Sequence, residues 1–138
     1  MTELTRVSGV IWEHFCRLIE NVDIQNKILN ADSFDKICQI LEELNIPGIG
    51  DDTIISIAAK LAYDFDKPID DSCFRCHFIK HNSKMRYIVR HFHTFDEIRN
   101  ASPLLLNFSN KDLFLLLILS KSRIVKLLRL YDNNKNLI

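Results

Sequence analysis

Leu44-Asn45-Ile46-Pro47-Gly48-Ile49-Gly50-Asp51-Asp52-Thr53-Ile54-Ile55-Ser56-Ile57-Ala58-Ala59 is the stretch that decides how this chain folds. A helical apolar pattern runs into it from Phe34 and another leaves it towards Tyr63. Two of the chain's three glycines bracket a single apolar residue here. That composition predicts a tight reversal between two helices. Glycine supplies the positive-φ or close-approach backbone such a reversal needs. Pro47 disfavours helix in the residue before it, which stops the first helix near Leu44. Asp51, Asp52 and Thr53 open the second helix, where carboxylates and hydroxyls suit unpaired N–H groups and the positive end of the dipole.

The pattern Ile46-Pro47-Gly48-Ile49-Gly50-Asp51-Asp52-Thr53 resembles the helix-hairpin-helix motif, which reads apolar-Pro-Gly-apolar-Gly-x-x-Thr. The resemblance covers about twenty residues and places the motif at 34–63. It implies that the backbone N–H groups around Gly48 and Gly50 hold a nucleic-acid phosphate without reading sequence, as helix N-termini bind anions generally. The two variable positions, often basic in family members that bind DNA, are Asp51 and Asp52. Carboxylates beside a phosphate site repel it.

Outward from the hairpin, the rest of the chain reads as helix. Residues 6–30 carry apolar positions at three- and four-residue spacing (Val10, Ile11, Phe15, Leu18, Ile19), with a break near Asn21. Asp32 or Ser33 caps a helix from Phe34 to Leu44 whose inner face is Phe34, Ile37, Cys38, Ile40, Leu41 and Leu44. The second hairpin helix carries Ile54, Ile55, Ile57, Ala58, Leu61 and Ala62. Small Ala58, Ala59 and Ala62 invite a close helical neighbour. Residues 64–71 form a loop. Asn82 and Ser83 mark another break and cap, and Thr94 with Glu97 forms a capping box. Residues 110–131 form one or two closing helices with Leu113, Leu116, Leu117, Leu119, Ile124, Leu127, Leu128 and Tyr131 inside. A strand is the alternative for the run Leu115–Leu119, which is apolar all round. The expected fold is an all-α single compact domain of six to eight helices over residues 1–131, with a frayed tail at 132–138.

The 138 residues are 47% hydrophobic and 26% charged, as in an ordinary globular protein. No apolar run reaches membrane-spanning length and no secretory pattern opens the chain, so a cytoplasmic location without a membrane partner is expected. In that compartment the four cysteines are thiols or metal ligands. The zero net charge conceals a split. Residues 1–72 hold 6 Lys/Arg against 14 Asp/Glu, and residues 73–138 hold 12 against 4. Either the second half offers a face to a polyanion, or the two halves attract each other.

Three chemistries follow from the polar residues of the second half. Arg75, Lys80, Lys84, Arg86 and Arg90, with Lys121, Arg123 and Lys126, are candidate phosphate contacts alongside Gly48 and Gly50. Cys73-Phe74-Arg75-Cys76-His77 has the form of a c-type haem attachment, but zinc suits an unexported chain better. Cys73, Cys76, His77 and His81 are its candidate ligands, as Cys-x-x-Cys completed by histidines can hold one tetrahedral ion. Ile69-Asp70-Asp71-Ser72-Cys73-Phe74-Arg75 carries a second resemblance, to the helix-hairpin-helix DNA glycosylase superfamily. Asp70 falls about seventeen residues after Thr53, where that family places an aspartate, and Arg75 matches as well. Ser72 stands where the family has histidine, and Asp52 where its lyases carry the nucleophilic lysine. That likeness would make Asp70 the residue stabilising a cationic sugar.

The leading expectation is a small non-enzymatic binding protein that contacts nucleic-acid backbone through its basic C-terminal half. The alternative is a protein–protein module or homodimer joined by the apolar C-terminal helices, with the hairpin purely structural. A monofunctional glycosylase is the third. No small-molecule substrate and no required cofactor are evident.

Overall fold

Local capping chemistry sets most of the helix starts. In the computed structural model, which describes residues 13, 16, 17 and 19–135, the first complete helix is α1 (Val22–Leu29). The Asn21 side chain caps it by accepting from the Asp23 N–H. Then come α2 (Phe34–Glu43), α3 (Asp51–Asp64), a 3₁₀ turn (Asp71–Arg75), α4 (His77–His81), α5 (Ser83–His91) and α6 (Phe95–Asn100). A second 3₁₀ turn (Pro103–Leu105) leads to α7 (Asn110–Leu119) and α8 (Lys121–Lys135). Ser33, Asn82 and Thr94 cap α2, α5 and α6 as the sequence predicts, and Ser109 caps α7. Among the described residues 74% are helical and none lies in a strand, and Leu115–Leu119 belongs to α7. The expected N-terminal face at Val10, Ile11, Phe15 and Leu18 lies outside the described residues.

The hairpin turns by two identifiable devices. Asn45, at φ 50°, sits just past the α2 C-cap Leu44 and donates its N–H to Glu42 O at 3.1 Å. Asparagine tolerates this left-handed position better than most residues. Ile49 N–H then donates to Ile46 O, closing a turn with Pro47 second and Gly48 third. Gly48 has φ 83°, as a type II turn demands. Gly50 is different. Its φ is −93° and a Cβ there would meet nothing within 4 Å. The expectation that both glycines are needed by the backbone therefore holds for Gly48 alone.

The far end of α3 closes with a complete Schellman motif. Asp66 (φ 53°) donates to Tyr63 O, and Lys67 donates to Ala62 O at 2.8 Å. Thus the helix ends through Asp66 before Pro68 is reached.

Helix α3 is the centre of the fold. Every residue from Ile54 to Ala59, with Leu61 and Ala62, is buried. α2 packs along one side and α7 along another, and α5 lies against α8. Ala58, Ala59 and Ala62 sit in this contact zone, at 2% exposure or less. Four phenylalanines join the layers. Phe34 meets Phe114 edge-on at 4.7 Å between ring centres, and Phe95 lies 4.6 Å from Phe74 and 6.2 Å from Phe114. Such pairs add to plain burial through their ring geometry.

Two expectations fail at the C-terminus. The tail does not begin at Asp132: α8 continues to Lys135, and Asp132 bonds to α5. Leu116, Leu127 and Tyr131 are not interior either, being 41%, 66% and 61% exposed. α8 packs on the body with only one side, and Val125 is its buried apolar contact.

Candidate functional site

The start of α3 is exposed at Gly48, Gly50 and Asp51. Gly50 occupies the N-cap without a side-chain bond, so no side chain at the cap serves the first-turn N–H groups. The charges around it are acidic. Asp51 shares a shallow cavity of about 250 Å³ with Glu42, Asn45 and Ile49. Asp52 turns the other way and accepts a hydrogen bond from the Asn82 side-chain amide. One of the two variable aspartates is thus a tether to α5, while the other stays beside the turn.

Asn82 is nearly buried, at 6% exposure. Its Oδ1 accepts from Met85 N–H at 2.9 Å, capping α5, while its amide holds Asp52. Ser56, one turn beyond Asp52 on α3, donates to Asp52 O at 3.0 Å. Lys121 Nζ reaches Ser56 Oγ at 3.5 Å and Ile118 O at 3.2 Å. Lys121 is fully buried and so is no surface phosphate contact, contrary to the expectation from its sequence position. Its amine serves the junction of α3, α7 and α8, since a buried polar group requires hydrogen-bond partners.

The remaining basic residues divide among three places. α5 and α8 bring the largest group together. Tyr87 is the hinge of that surface: Arg129 lies over its ring at 5.4 Å, and Arg90 is close enough to act on its phenol. The Tyr87 hydroxyl donates to Asp132 Oδ2, and that bond holds the phenol above its ordinary range. Asp132 also pairs with His91 Nε2 at 3.0 Å. Lys84 spans the seam by donating to Ser122 Oγ at 2.8 Å. Arg86 Nη1 approaches Lys80 O at 3.5 Å. Lys126 follows Ser122 by four residues and precedes Arg129 by three, so it shares their side of α8. Lys80, Arg86, Arg90, Lys126 and Arg129 therefore form one exposed cationic strip. Arg75 lies apart, in a polar cleft, and Arg123 is exposed on α8 one turn before Lys126, at the edge that turns towards Leu127.

The Cys-x-x-Cys residues are not arranged to hold a metal. Cys73 is buried and Cys76 half-buried, and both are free thiols. Burial pushes the Cys76 thiol up to about 11, despite the N–H groups of Ile79 and Phe78, and pushes Cys73 higher still. His77 and His81 meet at a tilt, with ring centres 4.1 Å apart, on the exposed side of α4. Among the described residues no three His, Cys, Asp or Glu side chains come close enough to share an ion, so the four proposed zinc ligands are not gathered. Cys38 is likewise buried, and its thiol is raised by burial.

Asp70 is occupied in shaping its own loop. Its carboxylate accepts from the N–H and hydroxyl of Ser72, capping the first 3₁₀ turn. Those two bonds hold it below the usual carboxylate range. Asp70 lines a cleft of about 370 Å³ with Asp35, Arg75, Cys76 and His77. Asp71 ties the same turn to α6 by accepting from Phe95 N–H at 2.9 Å. Asp70, which falls where the glycosylase pattern has its aspartate, thus shapes its own turn, and Asp71 joins that turn to α6.

No protein-family model, curated protein or solved structure matches this chain. No helix among the described residues is long and apolar enough to cross a membrane.

Proposed function

We propose that this protein is a non-enzymatic helical binding module that engages nucleic-acid backbone, without sequence readout, through the α5–α8 strip. The observation that carries this reading is the convergence of Arg90 and Arg129 on Tyr87, with Lys80, Arg86 and Lys126 continuing the charge on either side. Asp132, the carboxylate within that surface, is engaged by Tyr87 and His91. Separated cations on two packed helices suit a line of phosphates, and an aromatic residue among them suits an unstacked base. The hairpin acts as scaffold. Asp51 and Glu42 make its mouth repulsive to a phosphate, and Asp52 locks α3 to α5 beneath the strip.

The test is fluorescence anisotropy of labelled duplex and single strand at several salt concentrations. If the five strip cations each neutralise one phosphate, log K falls with log salt at a slope of roughly −4 to −5 for duplex. Absence of binding at low salt would end this reading.

A further inference from the structure

Asp132 of α8 sits within the cationic strip, and two side chains of α5 hold its carboxylate. The Tyr87 hydroxyl donates to Oδ2, and His91 Nε2 lies 3.0 Å from Oδ1. The other nitrogen of the same ring, Nδ1, lies 3.3 Å from the backbone oxygen of Tyr87, one turn back along α5. Both of these partners of the imidazole are acceptors. A neutral imidazole donates from one nitrogen and offers a lone pair from the other. Whichever tautomer it takes, one lone pair faces an oxygen. The imidazolium donates from both nitrogens and so satisfies both oxygens.

The surrounding charges come from three directions. On α5 itself stand Lys84, Tyr87 and Arg90, and on α8 Arg129 and Asp132. α4 also packs on α5, but its Lys80 and His81 stand by the start of α5, whereas His91 ends it. Beyond α5 the chain carries exposed His93, whose N–H donates to Glu97. Arg90 and Arg129 oppose an added positive charge. Asp132 bonds the ring directly and favours it. The pair is half-buried, with side chains 24% and 35% exposed, so solvent screens it less than an open surface pair. The Tyr87 phenol, held above its ordinary range, keeps its proton while a histidine titrates.

We infer that protonation of His91 tightens the strip's hold on nucleic-acid backbone. This rests on the reading of the strip as a phosphate-binding face. With a neutral imidazole, the Asp132–His91 pair presents one net negative charge to a phosphate on the strip. With the imidazolium, which takes its proton from solvent, the pair presents none. The same proton joins α5 to α8. The folded state thus favours the charged ring. The resulting stability is fully present below the ordinary histidine value of about 6.5 and is lost as the ring deprotonates at higher pH.

The test is anisotropy of the full chain with labelled single-stranded and duplex DNA at about pH 5.5 and about pH 8, in low salt. Binding should be about 3–10-fold tighter at the lower pH. His91→Gln should reduce that ratio to less than about twofold. Asp132→Asn should also remove it, and should bind at the higher pH about as tightly as the parent does at the lower. His77→Gln/His81→Gln, which removes the histidines of α4, should keep the ratio. An NMR titration without nucleic acid reads the proton directly, and the His91 midpoint should fall in Asp132→Asn. Parent binding that is equal at the two pH values overturns this inference and spares the strip. A ratio that survives His91→Gln, or that vanishes with the α4 histidines, also overturns it. So does a His91 midpoint unmoved by Asp132→Asn. Absence of binding at both pH values ends the reading of the strip, and this inference with it.

Discussion

The hairpin at Leu44–Gly50 and the seam between α5 and α8 invite opposite judgements from sequence and from structure. The hairpin has a sequence that resembles a phosphate-binding motif, two glycines and a helix N-terminus, yet Asp51 and Glu42 surround its mouth and Asp52 is tied to Asn82. The α5–α8 seam has no motif, yet it assembles exposed Lys80, Arg86, Arg90, Lys126 and Arg129 on adjoining helices. Spacing specifies how a backbone turns. Side-chain charge and packing decide what that backbone can touch.

Charge reversal tests this comparison most severely. Arg86→Glu/Arg90→Glu should weaken nucleic-acid binding roughly 10–100-fold and lower the salt slope by about two, because two phosphate contacts are lost. Circular dichroism should show unchanged helix content, since both residues are exposed. The matching change at the hairpin, Glu42→Lys/Asp51→Lys, should leave the slope as it was. A steeper slope would make the hairpin a contact held in check by its own carboxylates.

The next effect is on stability. Asn82→Ala removes the α5 cap and leaves the Asp52 carboxylate without its amide donor. A lost cap costs about 1 kcal/mol, and a deprived polar partner adds a comparable amount. Thermal unfolding should therefore begin roughly 5–10 °C lower.

The two hairpin glycines should respond with opposite signs. Gly48→Ala forces a side chain into φ 83° and should cost about 1–2 kcal/mol. Gly50→Ser meets open space and adds a cap that α3 lacks, so it should gain a few tenths of a kcal/mol. Chemical denaturation of both variants measures the difference. If Gly50→Ser instead weakens nucleic-acid binding without unfolding the chain, a ligand approaches the backbone there and the hairpin is not merely scaffold.

The smallest expected effect concerns Cys76. Burial raises its thiol to about 11, so the folded state favours the protonated form. Its contribution is fully present below the unfolded thiol's ordinary value of about 8.5 and is lost as pH rises towards about 11. Thermal stability should fall across that window, less so in Cys76→Ser. Alkylation by iodoacetamide near pH 7.5 should be slow, because the thiolate is the reactive form.

Some of this protein was legible residue by residue. Ser33, Asn82, Thr94 and Ser109 cap the helices they precede, because a cap is a contact within three residues. Even so, the Glu97 carboxylate bonds His93 N–H, one residue upstream of its cap Thr94. The apolar stripe of α3 and the reversal at Pro47-Gly48 follow from periodicity and one dihedral preference. The candidate sites were far less legible. Lys121 looks like its neighbours Arg123 and Lys126 in sequence, but it points to the junction of three helices and is buried. Leu127 and Tyr131 look like core and are exposed. Asp132 looks like the start of a tail and is a junction of α5 and α8.

The sequence by itself determined that this chain is helical, where most helices begin, and that a tight turn joins α2 to α3. Those properties depend on neighbours within a turn or two of the chain. Only the tertiary structure decided which cations share a surface, which face of α8 stays apolar and open, and which aspartate of the hairpin points inward. Those outcomes depend on which elements, distant in sequence, pack together, and each side chain's environment is set by that packing.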